Sequence, residues 1–346
     1  MAGGSRNLGV ALNHFLGGVR VEETETTSWG WVRARTLSTV AQQVADPVGA
    51  AARDYAGNFR ELSGKYAKWF PSVHALHDFT PNLKAHLSWS TSFGRAGLNE
   101  FLPAETPNEA NRFVTINNPG LKPQTASNWD ATLEYYFEPV GSVSVGWFHK
   151  TIKDYILRGQ EVALIGSGAD NGYNGEYGGW SERTSINAGT AVAQGWEFAY
   201  QQQFTFLPGL LKGLAASANY TRLVTHGDYG GTTYLTSRDV AGFIPHSANA
   251  SLSWRYRKFN TRVLYNFTGE HVQTYNVASP ALSVYRQSNK TVNVGFGYQL
   301  RPAVTLSLGV ANIFNEPQIL YRAFKDRTQR TIYNFVTVTA GVNGRF

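Results

Sequence analysis

Cysteine is absent from the 346-residue sequence, methionine occurs once, and charged residues make up only 16%. The lack of cysteine excludes disulfide frameworks, thiolate metal sites and thiol nucleophiles together. Lys and Arg exceed Asp and Glu, giving a net charge of +7, but they are scattered among the acidic residues and form no basic run. Because binding to phosphate backbones needs a stripe of such residues, we expect no nucleic-acid partner.

Long apolar runs are missing as well. No window approaches the roughly 18 to 20 consecutive apolar residues of a transmembrane helix, and a bilayer can otherwise be crossed only by a closed β-barrel. The first residues, MAGGSR, are not followed by the apolar core of a signal peptide. If the protein is exported, we therefore expect its true start to lie upstream of Met1.

Aromatic residues and glycine are abundant, at 14% and 35 residues, which favours strands and turns over helices. The clearest pattern has a period of two. From Asn128 to Glu138, Trp129, Leu133 and Phe137 fall on one face and polar side chains on the other, as in a strand with one apolar side. The alternation returns in residues 83–93, 196–206, 248–256, 292–300 and 304–310, each about ten residues long, the length of a tilted transmembrane strand.

The predicted connections alternate in length. Short turns are predicted at 80–82, 139–141, 208–213, 257–258 and 301–302, and long polar, Gly-rich loops at roughly 33–63, 96–123, 158–184, 227–245, 272–287 and 315–331. Short turns on one side and long loops on the other are typical of a transmembrane antiparallel β-barrel. The pattern predicts about twelve strands, with both chain ends on the short-turn side. A soluble β-sandwich is disfavoured because the second face is dominated by small polar residues and Gly rather than by Lys and Glu.

The last eleven residues alternate up to a terminal aromatic residue, Phe346. This ending resembles the C-terminal signature of bacterial outer-membrane barrels, which the barrel-assembly machinery reads. The alternative is an edge strand that happens to end in Phe.

Four further segments carry a resemblance to a known family. Residues 118–128 (NPGLKPQTASN) resemble an N-P-x-L-K-P-E-x-S stretch, with Gln124 where an acid is usual, and residues 145–156 (VGWFHKTIKDYI) resemble a Y-K-x-I-K-D hairpin. Residues 193–197 (AQGWE) are similar to V-x-G-x-E, and residues 311–315 (ANIFN) to N-L-F-N. In this order they resemble the C-terminal half of TonB-dependent outer-membrane receptors, over about residues 60 to 346, and most of all the branch found in xanthomonads and caulobacters.

The resemblance implies an all-β chain whose roughly twelve strands are part of a barrel of about 22. Residues 1–346 would be the C-terminal part of the barrel domain, without the plug domain and the TonB box. It also implies a bacterial outer-membrane location and uptake of a large nutrient, such as an oligosaccharide or a ferric siderophore. The partners would be outer-membrane lipid, the barrel-assembly machinery, the TonB complex through the missing plug, and the ligand.

In this family, ligands bind at the outer loops, where aromatic rings stack on the ligand and Arg attracts anionic groups. Residues 168–180 bring Tyr173, Tyr177 and Trp180 together among glycines that allow close backbone approach. Weaker candidates of the same kind are Tyr229, Tyr234, Tyr275, Tyr285, Tyr321, Arg322 and Arg327. A solvated surface loop is the alternative interpretation of each.

Two other functions remain open. A free-standing, porin-like diffusion channel would need only these strands, and a barrel hydrolase would need a Ser and a His on adjacent strands. The sequence contains no G-x-S-x-G, H-E-x-x-H or P-loop motif, so no enzymatic activity is expected. His74 and His77 fall on opposite faces of one strand, and neither a metal site nor a cofactor is expected.

Overall fold

The computed structural model describes residues 12–34, 37–102, 104–228, 236–237, 240–276 and 279–344. The described residues include two short α-helices, α1 (Val40–Ala45) and α2 (Pro47–Tyr55), and 3-10 turns at Leu98–Phe101, Gly209–Gly213 and Pro280–Leu282. The strands are β1 (Leu12–Trp31), β2 (Phe59–Thr80), β3 (Leu83–Gly94), β4 (Glu105–Asn108), β5 (Phe113–Ile116), β6 (Gln124–Phe137), β7 (Gly141–Lys153), β8 (Ile156–Leu164), β9 (Ser181–Asn187), β10 (Ala191–Gln203), β11 (Leu214–Asp228), β12 (Thr236–Ser237), β13 (His246–Tyr256), β14 (Phe259–Thr268), β15 (His271–Thr274), β16 (Val284–Arg286), β17 (Asn289–Arg301), β18 (Val304–Ala311), β19 (Gln318–Arg322), β20 (Thr328–Ile332) and β21 (Thr337–Gly344).

Twelve strands form one large antiparallel sheet in the order β1-β2-β3-β6-β7-β10-β11-β13-β14-β17-β18-β21, and β12 pairs with β11 at its margin. Each strand of this path pairs with the next one along the path, so the sheet is a continuous meander. Within the described residues, β1 and β21 are its two edges. The predicted antiparallel all-β architecture of about twelve strands is therefore confirmed.

One face of the large sheet is apolar. Leu87, Ala131, Trp147 and Trp196 lie directly opposite one another across β3, β6, β7 and β10. Large apolar side chains of this face are open to the surroundings, with Leu133 46% and Leu252 48% exposed. A continuous surface of this kind is unusual for a protein in water and indicates contact with lipid or another protein. We call it the apolar face.

The opposite face, which we call the polar face, carries small polar side chains that pair across strands. The hydroxyls of Ser217 and Ser251 are 2.8 Å apart, and the Asn249 amide donates to Asn219 at 3.0 Å. Both pairs join β11 to β13 at directly opposed positions. Buried apolar side chains such as Val114, Leu121 and Ile156 lie instead in or beside the connections.

The predicted alternation of connections is confirmed. The short turns join β2 to β3, β6 to β7, β10 to β11, β13 to β14 and β17 to β18 at one end of the sheet, which we call the turn end. The six long connections lie at the other end, the loop end. No helix of the described residues has both the length and the apolar character needed to cross a membrane.

The long connections, predicted as polar, Gly-rich loops, contain short elements of their own, including β12 between β11 and β13. Four contain the strands of two small sheets, β4-β5-β9-β8 and β15-β16-β19-β20. A fifth, between β1 and β2, contains both helices. Its signals were present in the sequence: Thr39 and Gln42 form a capping box at α1, and Asp46 caps α2, which starts at Pro47.

Two of the family-like motifs have identifiable structural roles. In residues 193–197, a Cβ added to Gly195 would lie 2.1 Å from the Arg222 carbonyl oxygen and 2.9 Å from the Phe148 ring, so only glycine fits. In residues 311–315, Asn312 adopts a positive φ of 51°. Its side chain accepts from the Glu316 amide at 2.9 Å, which turns the chain out of β18.

Candidate functional site

Tyr173, Tyr177 and Trp180 form one aromatic cluster at the loop end, in the connection between β8 and β9. The ring centroids of Tyr173 and Tyr177 are 5.5 Å apart, and those of Tyr177 and Trp180 are 5.1 Å apart. All three residues are half-buried. The Tyr173 hydroxyl donates to Glu182 at 2.7 Å and the Tyr177 hydroxyl to Glu105 at 3.1 Å. The three side chains predicted from sequence thus lie together, and both tyrosine hydroxyls are hydrogen-bonded to carboxylates.

The Gly-rich segment around this cluster is a compact loop organised by Asn171. The Asn171 side-chain oxygen accepts from the amides of Tyr173 and Gly175 at 2.9 and 3.0 Å. Its nitrogen donates to the carbonyls of Gly166 and Glu176 at 2.7 and 2.8 Å. All four hydrogen-bonding positions of the amide are therefore used, which closes the loop on itself.

Tyr177 has a φ of 56°, in the left-handed region. For a residue with a Cβ this conformation costs roughly 1 to 2 kcal/mol. The Trp180 ring contact and the hydrogen bond to Glu105 hold it there. A strained aromatic residue maintained by its surroundings is a feature that concentrates at functional sites.

A second aromatic pair lies in the small sheet β15-β16-β19-β20. Tyr285 and Tyr321 stand opposite each other across β16 and β19, with ring centroids 5.4 Å apart and planes 15° apart. Tyr321 is only 4% exposed. Burial raises the pKa of its hydroxyl above the usual value, and the hydrogen bond with the Glu270 carboxylate acts in the same direction. Tyr321 therefore stacks beside Tyr285 and is not itself open to a ligand.

The orientation of this pair follows from the strand register. The pairing of β14 with β17 ends at Thr268 and Asn289, and that of β15 with β16 starts at His271 and Arg286, with two residues between on each strand. The ladder is interrupted over these two residues, but the register is the same on both sides, so we expect the alternation of side chains to carry over. Tyr285 consequently continues the polar face, whereas Arg286 continues the apolar face.

Tyr275 joins the two loop regions. It packs against the buried pair Leu157 and Ala188, together with Tyr155 and Ile186. Burial raises the pKa of the Tyr155 hydroxyl, which the nearby charge of Arg158 partly offsets. The connection between β14 and β17 is thereby docked onto the connection between β7 and β10.

The remaining predicted residues are not part of either aromatic group. Arg322 lies on the face of its sheet opposite to Tyr321, and Arg327 is exposed, with a hydrogen bond of 3.4 Å to the Ala281 carbonyl. Tyr229, Tyr234 and Phe346 lie outside the described residues.

Sequence reasoning missed the polar residues that hold the first cluster. Glu105 and Glu182 come from β4 and β9, and Arg33, from the first long connection, donates to Glu176 at 2.8 Å. Arg33 and Glu176 are 143 positions apart in the chain, so no local pattern could join them. Only Asn171, followed by Gly and a second Asn-Gly pair, carried a recognisable turn signal.

Metal coordination was not expected from the sequence. Within the described ranges, no three His, Asp or Glu side chains lie close enough together to hold a metal ion.

Comparison with known proteins gives a consistent result. The family model described as TonB dependent receptor-like, beta-barrel matches residues 8–313. The iron-regulated outer membrane virulence protein of Vibrio cholerae serotype O1 is 24% identical over 249 residues, which are 71% of this chain and 35% of that protein.

Among solved structures, the ferric-catecholate import receptor Fiu from Escherichia coli K12 superposes with a TM-score of 0.65 at 14% identity, over 96% of this chain and 42% of that one. The copper transporter OprC gives a TM-score of 0.65 at 14% identity, over 96% and 46%. The chain thus spans less than half the length of these relatives.

The match covers most of the chain and agrees with the twelve-stranded sheet, its apolar face and its long connections. Members of this family lie in the bacterial outer membrane and are transporters, not enzymes. Their apolar face meets lipid and their polar face lines the lumen. The chain therefore belongs to the TonB-dependent receptor β-barrel family.

Proposed function

We propose that this chain is the C-terminal part of the barrel of an outer-membrane receptor that takes up a large nutrient with energy from the TonB complex. The observation that carries the proposal is the aromatic cluster of Tyr173, Tyr177 and Trp180, with Tyr177 in a left-handed conformation, at the loop end of the large sheet. Residues 1–346 would supply about twelve strands of a barrel of about 22, the size class that holds a plug.

The favoured ligand is a ferric siderophore, and an oligosaccharide is the alternative. Both present flat or ring-shaped surfaces on which tyrosine and tryptophan can stack. The description of the Vibrio cholerae relative as iron-regulated and that of Fiu as a ferric-catecholate receptor favour an iron chelate. The copper transporter with the same fold shows that the fold alone does not choose the ligand. The placement in the xanthomonad and caulobacter branch stays a prediction.

Direct contacts with the ligand are assigned to the first cluster, and to Tyr285 because it continues the lumen-facing side. Tyr275, Tyr229, Tyr234 and Arg327 complete the proposed set of loop residues. Tyr321 has a supporting role beside Tyr285, since its ring is buried.

Three partners follow from the same proposal. Outer-membrane lipid would surround the apolar face, and the barrel-assembly machinery would read the terminal Phe346. The TonB complex would act through a plug domain that precedes these strands.

Binding of a ferric tris-catecholate to the full-length protein tests the proposal, measured by quenching of tryptophan fluorescence. We expect saturable binding that Tyr177→Ala weakens about tenfold, the loss of one good contact of about 1.4 kcal/mol. Tyr177→Phe keeps the ring and is the matched control. Absence of saturable binding, or an open conductance of the protein in planar bilayers, would contradict the receptor and favour a diffusion channel.

A further inference from the structure

The outer side of the small sheet β15-β16-β19-β20 carries three arginines. Arg286 stands opposite Leu320, and Leu320 stands opposite Arg330. Arg322 stands opposite Val284, and Val284 lies two residues from Arg286 on β16. Because side chains two residues apart share a face, all three arginines lie on one side of this sheet.

This side continues the apolar face. The pairing of β14 with β17 and that of β15 with β16 have the same register, so Arg286 and His271 continue the line of the apolar positions Val292 and Val294. Tyr285 and Tyr321 occupy the alternate positions and face the lumen. The arginines are thus turned away from the proposed ligand and toward the space around the barrel.

Their height places them just beyond the hydrocarbon layer. Among the outward-facing positions of β17, counted toward the loop end, Val292 is the last apolar residue. The next outward position is Lys290, which stands opposite Phe267 of β14. Arg286 lies four residues beyond Lys290, which is about 10 Å along the membrane normal for a tilted strand. This is the level of lipid headgroups at the outer surface.

Two of the three guanidinium groups have an unused donor. The Nε atoms of Arg286 and Arg322 are both shielded from solvent and have no hydrogen-bond partner. A buried donor without a partner is costly, and more so on a charged group. No ion pair within the described part of the chain involves Arg286, Arg322 or Arg330. The nearest candidate acid, Glu270, bonds to Tyr321 on the other side and pairs with Lys325 at 3.0 Å.

We propose that Arg286, Arg322 and Arg330 bind a phosphate group of an outer-leaflet glycolipid headgroup. The planar guanidinium fork fits phosphate oxygens two at a time, and the phosphate oxygens would accept from the outer guanidinium nitrogens of these side chains, which are partly or fully exposed. A lipid is the occupant rather than a soluble anion because the face continues the lipid-contacting surface. The inference rests on the outer-membrane orientation in the proposed function, not on the identity of the transported ligand.

Native mass spectrometry of the full-length protein in mixed micelles tests this inference, with bisphosphorylated lipid A as the probe. We expect one tightly held glycolipid that is weakened at least tenfold in the double variant Arg286→Ala/Arg322→Ala. Arg286→Lys/Arg322→Lys keeps both charges but loses the fork and is expected to be intermediate. The control Arg301→Ala/Lys258→Ala removes two exposed charges at the turn end and is expected to bind as the wild type does.

Three results would overturn the inference. The first is unchanged lipid A binding by the double alanine variant when its heat-modifiable migration on gels shows a folded barrel. The second is equal binding of dephosphorylated lipid A, and the third is displacement of the lipid by millimolar inorganic phosphate, which would indicate a site for free anions. Uptake of the ferric chelate, measured in the same variants, separates the two proposals, since loss of lipid binding with uptake retained leaves the transport function intact.

Discussion

One guanidinium joins two distant connections at the loop end. The Nε and Nη2 atoms of Arg33 each lie 3.1 Å from Oδ2 of Asp54, whose side chain is fully buried. Nη1 of the same arginine donates to Glu176 at 2.8 Å. The connection that contains α1 and α2 is thereby fastened to the loop that carries the aromatic cluster.

Asp54→Ala is expected to detach Arg33 from α2, so that the arginine keeps only its contact with Glu176. The loss of charged hydrogen bonds is expected to destabilise the loop end by about 1.5 to 3 kcal/mol. Amide hydrogen exchange of residues 32–58 is expected to accelerate while the large sheet is unchanged. Asp170→Ala, at an exposed position of the neighbouring loop, is the control. Equal exchange in the two variants would show that the pair of Arg33 and Asp54 does not hold the first connection in place.

Gly195→Ala is expected to impair barrel assembly. The added Cβ would meet a backbone oxygen at 2.1 Å, which cannot move without shifting β11. Gly295→Ala is a matched change in a strand of the same sheet, with nothing within 4 Å of the new Cβ. We expect a reduced heat-modifiable fraction in outer-membrane preparations for the first variant only, and normal assembly of both would mean that β10 and β11 separate easily.

A charge on the apolar face is expected to destabilise the barrel. Leu133→Arg places a cation against lipid, at a cost of about 2 to 4 kcal/mol near the midplane. Thr132→Arg, one residue away, places the same charge on the polar face, where water can solvate it. The urea midpoint of refolded full-length protein in vesicles is expected to fall for Leu133→Arg alone. Equal urea midpoints for the two variants would contradict the assignment of the apolar and polar faces.

Tyr321 is expected to ionise later than the other tyrosines. Because its pKa is raised in the folded protein, the hydroxyl contributes its full stabilisation below about pH 10, the usual tyrosine value, and loses it as the pH rises further. The absorbance titration at alkaline pH is compared between wild type and Tyr321→Phe. The absorbance difference between the two proteins, which reports Tyr321 alone, is expected to appear at a pH above the main titration of the other tyrosines. If it appeared near the usual tyrosine pKa, the Tyr321 ring would not be buried beside Glu270.

Much of the membrane sheet could be predicted from the sequence because a period of two reports directly on its faces. Trp129 and Leu133 fall on the apolar face as the alternation indicated, and the turns after Thr80 and Phe137 lie where Pro and Gly marked them. The loop end was harder, because its contacts join residues far apart in sequence. Arg33 contacts Glu176, and Arg286 lies on the same face as Arg330, only after the strands have paired.

The register that the large sheet and the small one share restricts how the connections can change in length. Inserting one residue into each of the two-residue bridges, 269–270 and 287–288, would turn Tyr285 toward the membrane and Arg286 into the lumen. Inserting two in each would restore both. Length variation at these bridges among related receptors is therefore expected to come in even steps.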